Sequence, residues 1–115
     1  MTPPERKTRY LRDAVPIRLG NLASNLARIS TCIAEEGGLP MAFSVIDESK
    51  HFIEWTGAEV EPDVQPELVR LQVELALWQH RWAGLSLDAR AREEVARDAR
   101  QRSNQVLEWS GLLNQ

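Results

Sequence analysis

The stretch PDVQPELVRLQVELALWQHRWAGL, residues 62–85, decides the fold of this 115-residue chain. Its large apolar residues recur in alternating steps of four and three: Val64, Leu68, Leu71, Leu75, Trp78, Trp82 and Leu85. An α-helix, with 3.6 residues per turn, brings that spacing onto one side, and a strand does not. We therefore predict a helix from Val64 to Leu85, with Pro66 in its first turn and Gly84 where the chain leaves it.

The same helix carries a second apolar group on another side, at Val69, Val73, Ala76 and Leu77. A helix that is apolar over so much of its circumference is usually surrounded by other protein. Two readings stay open: it is the central helix of a bundle, or it also faces a second copy of the chain. We call Val69, Val73 and Leu77 the valine–leucine face and predict that it belongs to a homodimer contact.

Three more helices are indicated. Residues 5–36 have helical periodicity that Pro16 interrupts, which predicts either a kink or a short helix followed by a longer one from Pro16. The second helix is predicted from Leu39 to Thr56, and the fourth from Ser86 or Asp88 to Ser110, with Gly111 as its cap. The predicted core face of the second helix is Ala42, Val45, Ile46, Ser49, Phe52, Ile53 and Thr56.

No segment has the pattern of a strand. The predicted fold is therefore all-α: one domain, residues 1–115, forming an up-down-up-down four-helix bundle whose first helix is kinked or broken near Pro16. Residues 1–4 are predicted to be loose.

A small-residue stripe lies on the first long helix, roughly opposite its leucines and isoleucines, at Gly20, Ser24, Ala27 and Thr31. Small side chains in register allow another backbone to approach closely, and we therefore add Gly20, Ser24 and Ala27 to the candidate dimer face. The alternative is that the stripe simply faces solvent.

Charge is unevenly distributed in this chain of net charge −3. Residues 1–34 are basic and residues 35–74 are strongly acidic, which favours electrostatic pairing inside the fold over a docking surface for a charged partner. Cys32 is the sole cysteine, so no intrachain disulfide can form. Without a leader pattern or a run of about 18 apolar residues, we expect a cytoplasmic protein with no membrane span.

Glu48 and His51 form an E-x-x-H pattern, which holds iron in some helical bundles. Such sites need two of these motifs and further glutamates, and this sequence has one motif, so we predict no metal. Trp55 shares the same outer side of the helix. We call Glu48, His51 and Trp55 the outer patch and predict a protein contact there; the alternative is that Trp55 folds over the edge of the bundle.

The sequence gives little support to nucleic-acid binding or to enzymatic activity. The arginines of residues 90–102 are interleaved with acidic residues, and the sequence pI is about 5.4, which argues against nucleic-acid binding. No G-x-x-x-x-G-K-[ST], G-x-G-x-x-G, G-x-S-x-G or H-E-x-x-H motif occurs. We therefore predict that the protein is not an enzyme and carries no cofactor.

Four stretches, LGNLASNLARI (19–29), ESKHFIEWT (48–56), LVRLQVELALWQHRW (68–82) and VLEWSGLL (106–113), together resemble a family of small, all-helical cyanobacterial proteins of uncharacterised function. The resemblance covers most of the chain from Leu19 onward. It rests on packing motifs, and so it implies a helical fold and no reaction.

The leading functional hypothesis is a non-enzymatic protein–protein interaction module. Its expected partners are a second copy of the chain and an unidentified protein. The alternative is a helical bundle that binds a small ligand or cofactor between its helices, near Trp78 and Trp82.

Overall fold

The computed structural model describes residues 3–114. Within that range lie six α-helices: Pro3–Leu11 (α1), Val15–Ala34 (α2), Leu39–Thr56 (α3), Gln65–His80 (α4), Trp82–Leu85 (α5) and Ala89–Ser110 (α6). Short 3-10 helices follow α3 at Gly57–Glu59 and α6 at Leu112–Asn114. No strand occurs among the described residues, and the predicted all-α class is confirmed.

Pro16 divides the N-terminal pattern into two helices, which is the second of the two predicted alternatives. The first helix ends at Leu11, Ala14 is extended with ψ 156°, and Pro16 lies in the first turn of α2. Proline is tolerated there because the first-turn N–H groups have no partner within the helix. The first helix begins at Pro3, inside the segment expected to be loose, whereas residues 1 and 2 lie outside the described range.

The Gly37-Gly38 pair makes the tight connection from α2 to α3. Gly37 has φ +76°, in the left-handed region that favours glycine. A Cβ on Gly38 would lie 2.0 Å from the carbonyl oxygen of Cys32, so this position has no room for a side chain. The bounds of α3 are those predicted, and its buried residues are the seven of the predicted core face.

The third predicted helix is interrupted, which the sequence did not indicate. Arg81, with φ −95° and ψ 4°, separates α4 from the short α5, so Gly84 lies within α5 and does not end α4. Beyond the break, the Trp82 indole packs against Phe43 of α3, with ring centroids 5.6 Å apart. A tertiary contact therefore accompanies the break, where no local glycine or proline marks it.

Both predicted caps of α6 are present. The Asp88 carboxylate accepts hydrogen bonds from the backbone N–H groups of Arg90 and Ala91, at 3.0 and 3.3 Å. Such a cap satisfies amides that have no partner within the helix. Gly111 closes the other end with φ +74°.

The second helix lies at the centre of the fold. It contacts α6 and α3 along much of its length, and α3 in turn contacts α4. Between α4 and α6, the Arg102 guanidinium donates from Nε and Nη2 to the two carboxylate oxygens of Glu74, at 3.0 and 3.1 Å. The side chains with less than 2% exposure include Leu22, Leu26, Ile29, Ile46, Leu68, Leu71, Leu75 and Val106, drawn from all four long helices.

Candidate functional site

The two apolar groups of α4 have different surroundings. Leu68, Leu71 and Leu75 of the first group are at most 1% exposed and fill the core. The valine–leucine face points away from it: the exposures of Val69, Val73 and Leu77 are 63%, 54% and 41%. These three residues are spaced by four, so they follow one line over two turns of the helix surface. The described chain thus leaves an apolar line of α4 in contact with solvent.

Hydrogen bonds hold α3 beside α4, next to the valine–leucine face. On α3, Lys50 donates from Nζ to Gln79 Oε1 at 2.7 Å and accepts at its backbone oxygen from Gln72 Nε2 at 3.2 Å. The amide of Gln79 also donates to Asp47 Oδ1 at 3.2 Å. Because α3 and α4 are held side by side, the solvent-facing residues of α3 border the valine–leucine face.

Two residues of the outer patch, His51 and Trp55, are in contact with each other on α3. The His51 ring stacks on the Trp55 indole with centroids 5.7 Å apart and 20° between planes. His51 also lies 3.6 and 3.5 Å from the carboxylates of Asp47 and Glu54. Trp55 is only partly buried, and its ring meets Tyr10 at a centroid distance of 5.6 Å. Trp55 therefore covers the edge of the fold and still keeps part of its ring accessible.

Glu48, the third member of the outer patch, has its partners on α1 and α2. Its carboxylate accepts a hydrogen bond from Asn25 Nδ2 of α2 at 3.0 Å and lies 3.6 Å from the guanidinium of Arg6 in α1. The carboxylate is thus used within the fold. The structure brings His51 and Trp55 into ring contact, whereas the partners of Glu48 are Asn25 and Arg6; a protein contact at the outer patch stays a prediction.

The two ends of the small-residue stripe have neighbours in the C-terminal part of the same chain. A Cβ on Gly20 would lie 2.8 Å from Leu112 Cδ1, and Thr31 Oγ1 accepts a hydrogen bond from Arg100 at 3.3 Å. Ser24 is exposed and Ala27 is half-buried. Nearby, Ser103 Oγ donates to the carbonyl oxygen of Ala23 at 2.7 Å, which shows how closely α6 approaches α2. Leu112 of the same chain thus covers Gly20, while Ser24 stays exposed, and a dimer contact of the stripe stays a prediction.

Sequence reasoning missed a buried polar cluster that anchors α1. The Tyr10 hydroxyl donates to the carbonyl oxygen of Arg18 at 3.0 Å and accepts from Thr56 Oγ1 at 3.0 Å. Its ring stacks on Phe52 with centroids 4.1 Å apart. Burial raises the pKa of Tyr10 to about 12, against the smaller lowering effect of the Thr56 hydrogen bond.

Arg18 belongs to the same cluster and is only 7% exposed. Its guanidinium donates to both carboxylate oxygens of Glu59 at 2.6 and 3.3 Å, and to the carbonyl oxygen of Asp13 at 2.8 Å. The hydrogen bond to Glu59 raises the pKa of Arg18 and lowers that of Glu59. The spacing of Arg18, three residues after Val15 and four before Leu22, was the available signal that it points inward.

Some residues of the basic segment 1–34 form ion pairs with residues of the acidic segment 35–74 inside the fold. Arg18 with Glu59, and Arg6 with Glu48, each join the basic first segment to the acidic second one. This is the internal pairing that the charge distribution favoured. The pair of Arg6 with Glu48 joins α1 to α3, and the pair of Arg18 with Glu59 joins the start of α2 to the 3-10 helix that follows α3.

The alternative function, small-ligand binding, was predicted to use a site between the helices near Trp78 and Trp82. A surface groove of about 630 Å³ lies beside Trp78 and Leu85, and is bordered on α6 by Val95, Glu94 and Asp98. Trp82 instead packs on Phe43. The two tryptophans therefore do not converge on one cavity.

The described residues offer neither a metal cluster nor a helix that could span a membrane. Among residues 3–114, no group of three or more histidine, cysteine or acidic side chains is arranged to hold a metal ion. Over the same part of the chain, no helix combines the length and apolar character needed to cross a bilayer.

Comparison with known proteins gives no relative from which a role could be transferred. No family model matches the chain, and no curated protein or solved structure matches it either. The resemblance to small all-helical cyanobacterial proteins stays a prediction.

Proposed function

We propose that this protein is a non-enzymatic protein–protein interaction module that forms a homodimer through the valine–leucine face of α4. The observation that carries the proposal is the exposure of Val69, Val73 and Leu77, at 63%, 54% and 41% in a single chain. Full burial of such a side chain contributes roughly 1.5–3 kcal/mol. A second copy that covers this line would recover much of that stabilisation.

The scaffold of the proposed module is an up-down-up-down four-helix bundle of α2, α3, α4 and α6. Contacts between α2 and α3, α3 and α4, and α6 and α2 support that arrangement, as does the ion pair of Glu74 with Arg102. In this proposal α1 and α5 are accessory helices. A cytoplasmic location is part of the same proposal; it fits a chain whose one cysteine, Cys32, is buried as a free thiol.

The proposed contact is modest in size. The 16 residues of α4 extend over roughly 24 Å, and packed helix axes lie about 8–10 Å apart. A contact made by α4 and the neighbouring edge of α3 therefore falls at the lower end of the roughly 800 Å² per partner that is typical of stable interfaces. We expect a concentration-dependent dimer, with a dissociation constant between about 1 μM and 1 mM.

Solution mass with a matched pair of variants tests the proposal. The wild type should shift from monomer toward dimer as its concentration rises in light scattering, whereas Leu77→Glu should remain a monomer. Because Leu77 is 41% exposed, a glutamate there reaches water, and circular dichroism should show an unchanged helical fold. The control is Leu87→Glu, at a leucine that is 86% exposed outside the proposed contact; it should dimerise like the wild type.

Two results would contradict the proposal. A wild type that stays monomeric up to about 1 mM would rule out self-association in the expected range. An equally strong dimer in the Leu77→Glu variant would show that the chain associates through another surface. A different protein as the occupant of the face would give the first of these results.

The ligand-binding alternative has less support. The groove beside Trp78 lies on the surface, and the charged side chains of Glu94 and Asp98 border it. Small-molecule sites are usually concave and largely apolar, with a few converging polar groups. Since Trp82 packs on Phe43 outside that groove, no observation favours this second function over the first.

A further inference from the structure

The valine–leucine face has rims of opposite charge. On the side of α3 lie Asp47 and Glu54, whose side chains are 54% and 55% exposed. On the other side lie Arg70, with a side chain 68% exposed, and the exposed Arg81. Arg81 directly follows α4, and its backbone N–H still donates to the carbonyl oxygen of Leu77 at 3.0 Å. Eleven residues are close to three helical turns, so Arg70 and Arg81 lie on the same side.

The positions of these rims follow from the contacts between α3 and α4. Gln72 and Gln79 bond to Lys50 and Asp47 and so mark the side of α4 that faces α3. At about 100° per residue, Arg70 and Arg81 lie nearly opposite those two glutamines, and the valine–leucine face lies between the two sides. Asp47 and Glu54 thus border the face on one flank, and Arg70 and Arg81 border it on the other, where Glu67 and Glu74 are paired with Arg70 and Arg102.

The rims are also matched in height along the helices. The hydrogen bond from Gln79 places Asp47 beside the end of α4, close to the level of Arg81. Glu54 lies four residues, or about 6 Å, beyond Lys50 toward the start of α4, and this places it near the level of Arg70. Each acidic residue therefore has a basic counterpart at a similar height on the opposite flank.

Symmetry decides which rims meet in a dimer. If two copies pair with their α4 helices antiparallel about a two-fold axis, each flank faces the same flank of its partner, and like charges oppose each other. If the helices are parallel, with the axis running along them, the acidic flank of each copy faces the basic flank of the other. Opposite charges at an interface favour one orientation and like charges disfavour the other.

We infer that two copies of this chain pair through α4 in a parallel, two-fold arrangement. In it, Arg70 faces Glu54 of the partner subunit, and Arg81 faces Asp47 of the partner subunit. Arg70 also pairs with Glu67 of its own helix, and His51 lies between Asp47 and Glu54. Those local pairs are exposed, and exposed ion pairs exchange partners at little cost. The inference rests on the proposed homodimer and specifies its geometry.

Cysteine cross-linking separates the two orientations. In the parallel dimer, each residue of the valine–leucine face meets its own copy, so Val69→Cys alone and Leu77→Cys alone should each form a disulfide-linked dimer on mild oxidation. In an antiparallel dimer centred on Val73, the two sites are displaced from their own copies by about 12 Å, beyond the Cα separation that a disulfide spans. Only a mixture of the two variants would then cross-link.

The native Cys32 is buried, and the wild type should give no cross-link. Asn104→Cys, on an exposed position of α6 outside every candidate contact, is the matched control and should remain monomeric on a non-reducing gel. A dimer by light scattering whose cysteine variants cross-link only when mixed would overturn the parallel geometry and leave the proposed function intact. Absence of cross-links together with a monomeric mass would overturn both.

Charge reversal gives a second measurement of the same geometry. Each two-fold dimer contains the pair of Arg70 and Glu54 twice, so Arg70→Glu should raise the dimer dissociation constant roughly 3- to 30-fold. Adding Glu54→Arg to that variant should restore dimerisation. Arg97→Glu, at an exposed position of α6, should have no effect. Failure of the double variant to recover the wild-type dissociation constant would overturn the assigned pairing.

Discussion

The small-residue stripe of α2 and the valine–leucine face of α4 have the same apparent character in the sequence and different surroundings in the fold. Both are lines of uncharged residues on helices. In each helix, the apolar residues of a different side pack into the core of the protein. The stripe of α2 meets Leu112 at Gly20 and Arg100 of α6 at Thr31, whereas the face of α4 is left in solvent. Gly20 and Thr31 of the stripe thus have neighbours within the chain, whereas Val69, Val73 and Leu77 of α4 stay largely exposed.

The positions of the two helices explain the difference. The second helix has contacts with both α3 and α6, and even its polar side chains Arg18 and Asn25 are enclosed and partnered. The fourth helix has its main neighbour in α3 and reaches α6 through the long side chains of Glu74 and Arg102. A helix enclosed on fewer sides can offer an apolar line to another molecule.

The largest expected effect compares two leucines of α4 itself. Leu75→Ala should lower the free energy of unfolding by about 2–5 kcal/mol, since Leu75 is fully buried and its truncation leaves a cavity. Leu77→Ala, at a 41% exposed position, should cost less than about 1 kcal/mol in the monomer. Urea unfolding at low protein concentration measures both. Equal losses would mean that the two sides of α4 are equally buried.

An alkaline titration tests the burial of the Tyr10 hydroxyl, which donates a hydrogen bond to the backbone of α2. With a folded pKa of about 12 against about 10 when unfolded, Tyr10 stays neutral in the folded protein while the unfolded chain ionises. Its contribution is therefore complete below pH 10 and is lost as the pH rises toward 12, by roughly 2–3 kcal/mol in total. Tyr10 is the only tyrosine, so tyrosinate absorbance reports its pKa directly.

The control for this titration is Tyr10→Phe, which should unfold with less dependence on pH between 10 and 12. A tyrosinate signal that appears near pH 10 in the folded protein would contradict the burial of this hydroxyl.

Replacing a small side chain of α2 by a larger one tests how closely α6 packs against α2. Ala23→Leu should lower stability by about 1–3 kcal/mol, because Ala23 is 3% exposed and its carbonyl oxygen accepts the hydrogen bond from Ser103. Ser24→Leu, one position further on and exposed, should change stability by no more than about 0.5 kcal/mol. Thermal melts of the two variants give the comparison. If Ala23→Leu were tolerated as well as Ser24→Leu, the two helices would be further apart than described.

The smallest expected effect concerns the ion pair that joins α4 to α6. Glu74→Gln should lower the free energy of unfolding by about 0.2–1 kcal/mol, as for other partly exposed ion pairs. The difference from the wild type should shrink in high salt, where such pairs are screened. A loss several times larger, unaffected by salt, would show that α4 depends on Glu74 much more strongly than the apolar core suggests.

Local sequence patterns predicted much of the fold. The division at Pro16, the bounds and core face of α3, and the caps at Asp88 and Gly111 all depend on neighbouring residues or on periodicity. The break at Arg81 was missed because it accompanies a contact between Trp82 and Phe43, which are far apart in the sequence. Periodicity shows which residues share a side of a helix and carries no information about what covers that side.

The same limit applies to the candidate site. Val69, Val73 and Leu77 were grouped correctly by spacing, but their exposure depends on where the other helices lie. Glu48 was grouped with His51 and Trp55 by helical position, yet Asn25 and Arg6 approach it from two other helices. The cluster of Tyr10, Arg18 and Thr56 was missed because tertiary folding brings its members together.

The attachment of α1 through Tyr10 has a dynamic consequence. Among residues 4–11, Tyr10 is the only one that is buried, so nearly all of the apolar attachment of this helix depends on one ring. Release of that ring would expose little more than its own surface and would leave the core of the long helices intact. The backbone amides of α1 should therefore exchange with solvent deuterium through local opening, well before those of α2, whose exchange requires the whole molecule to unfold.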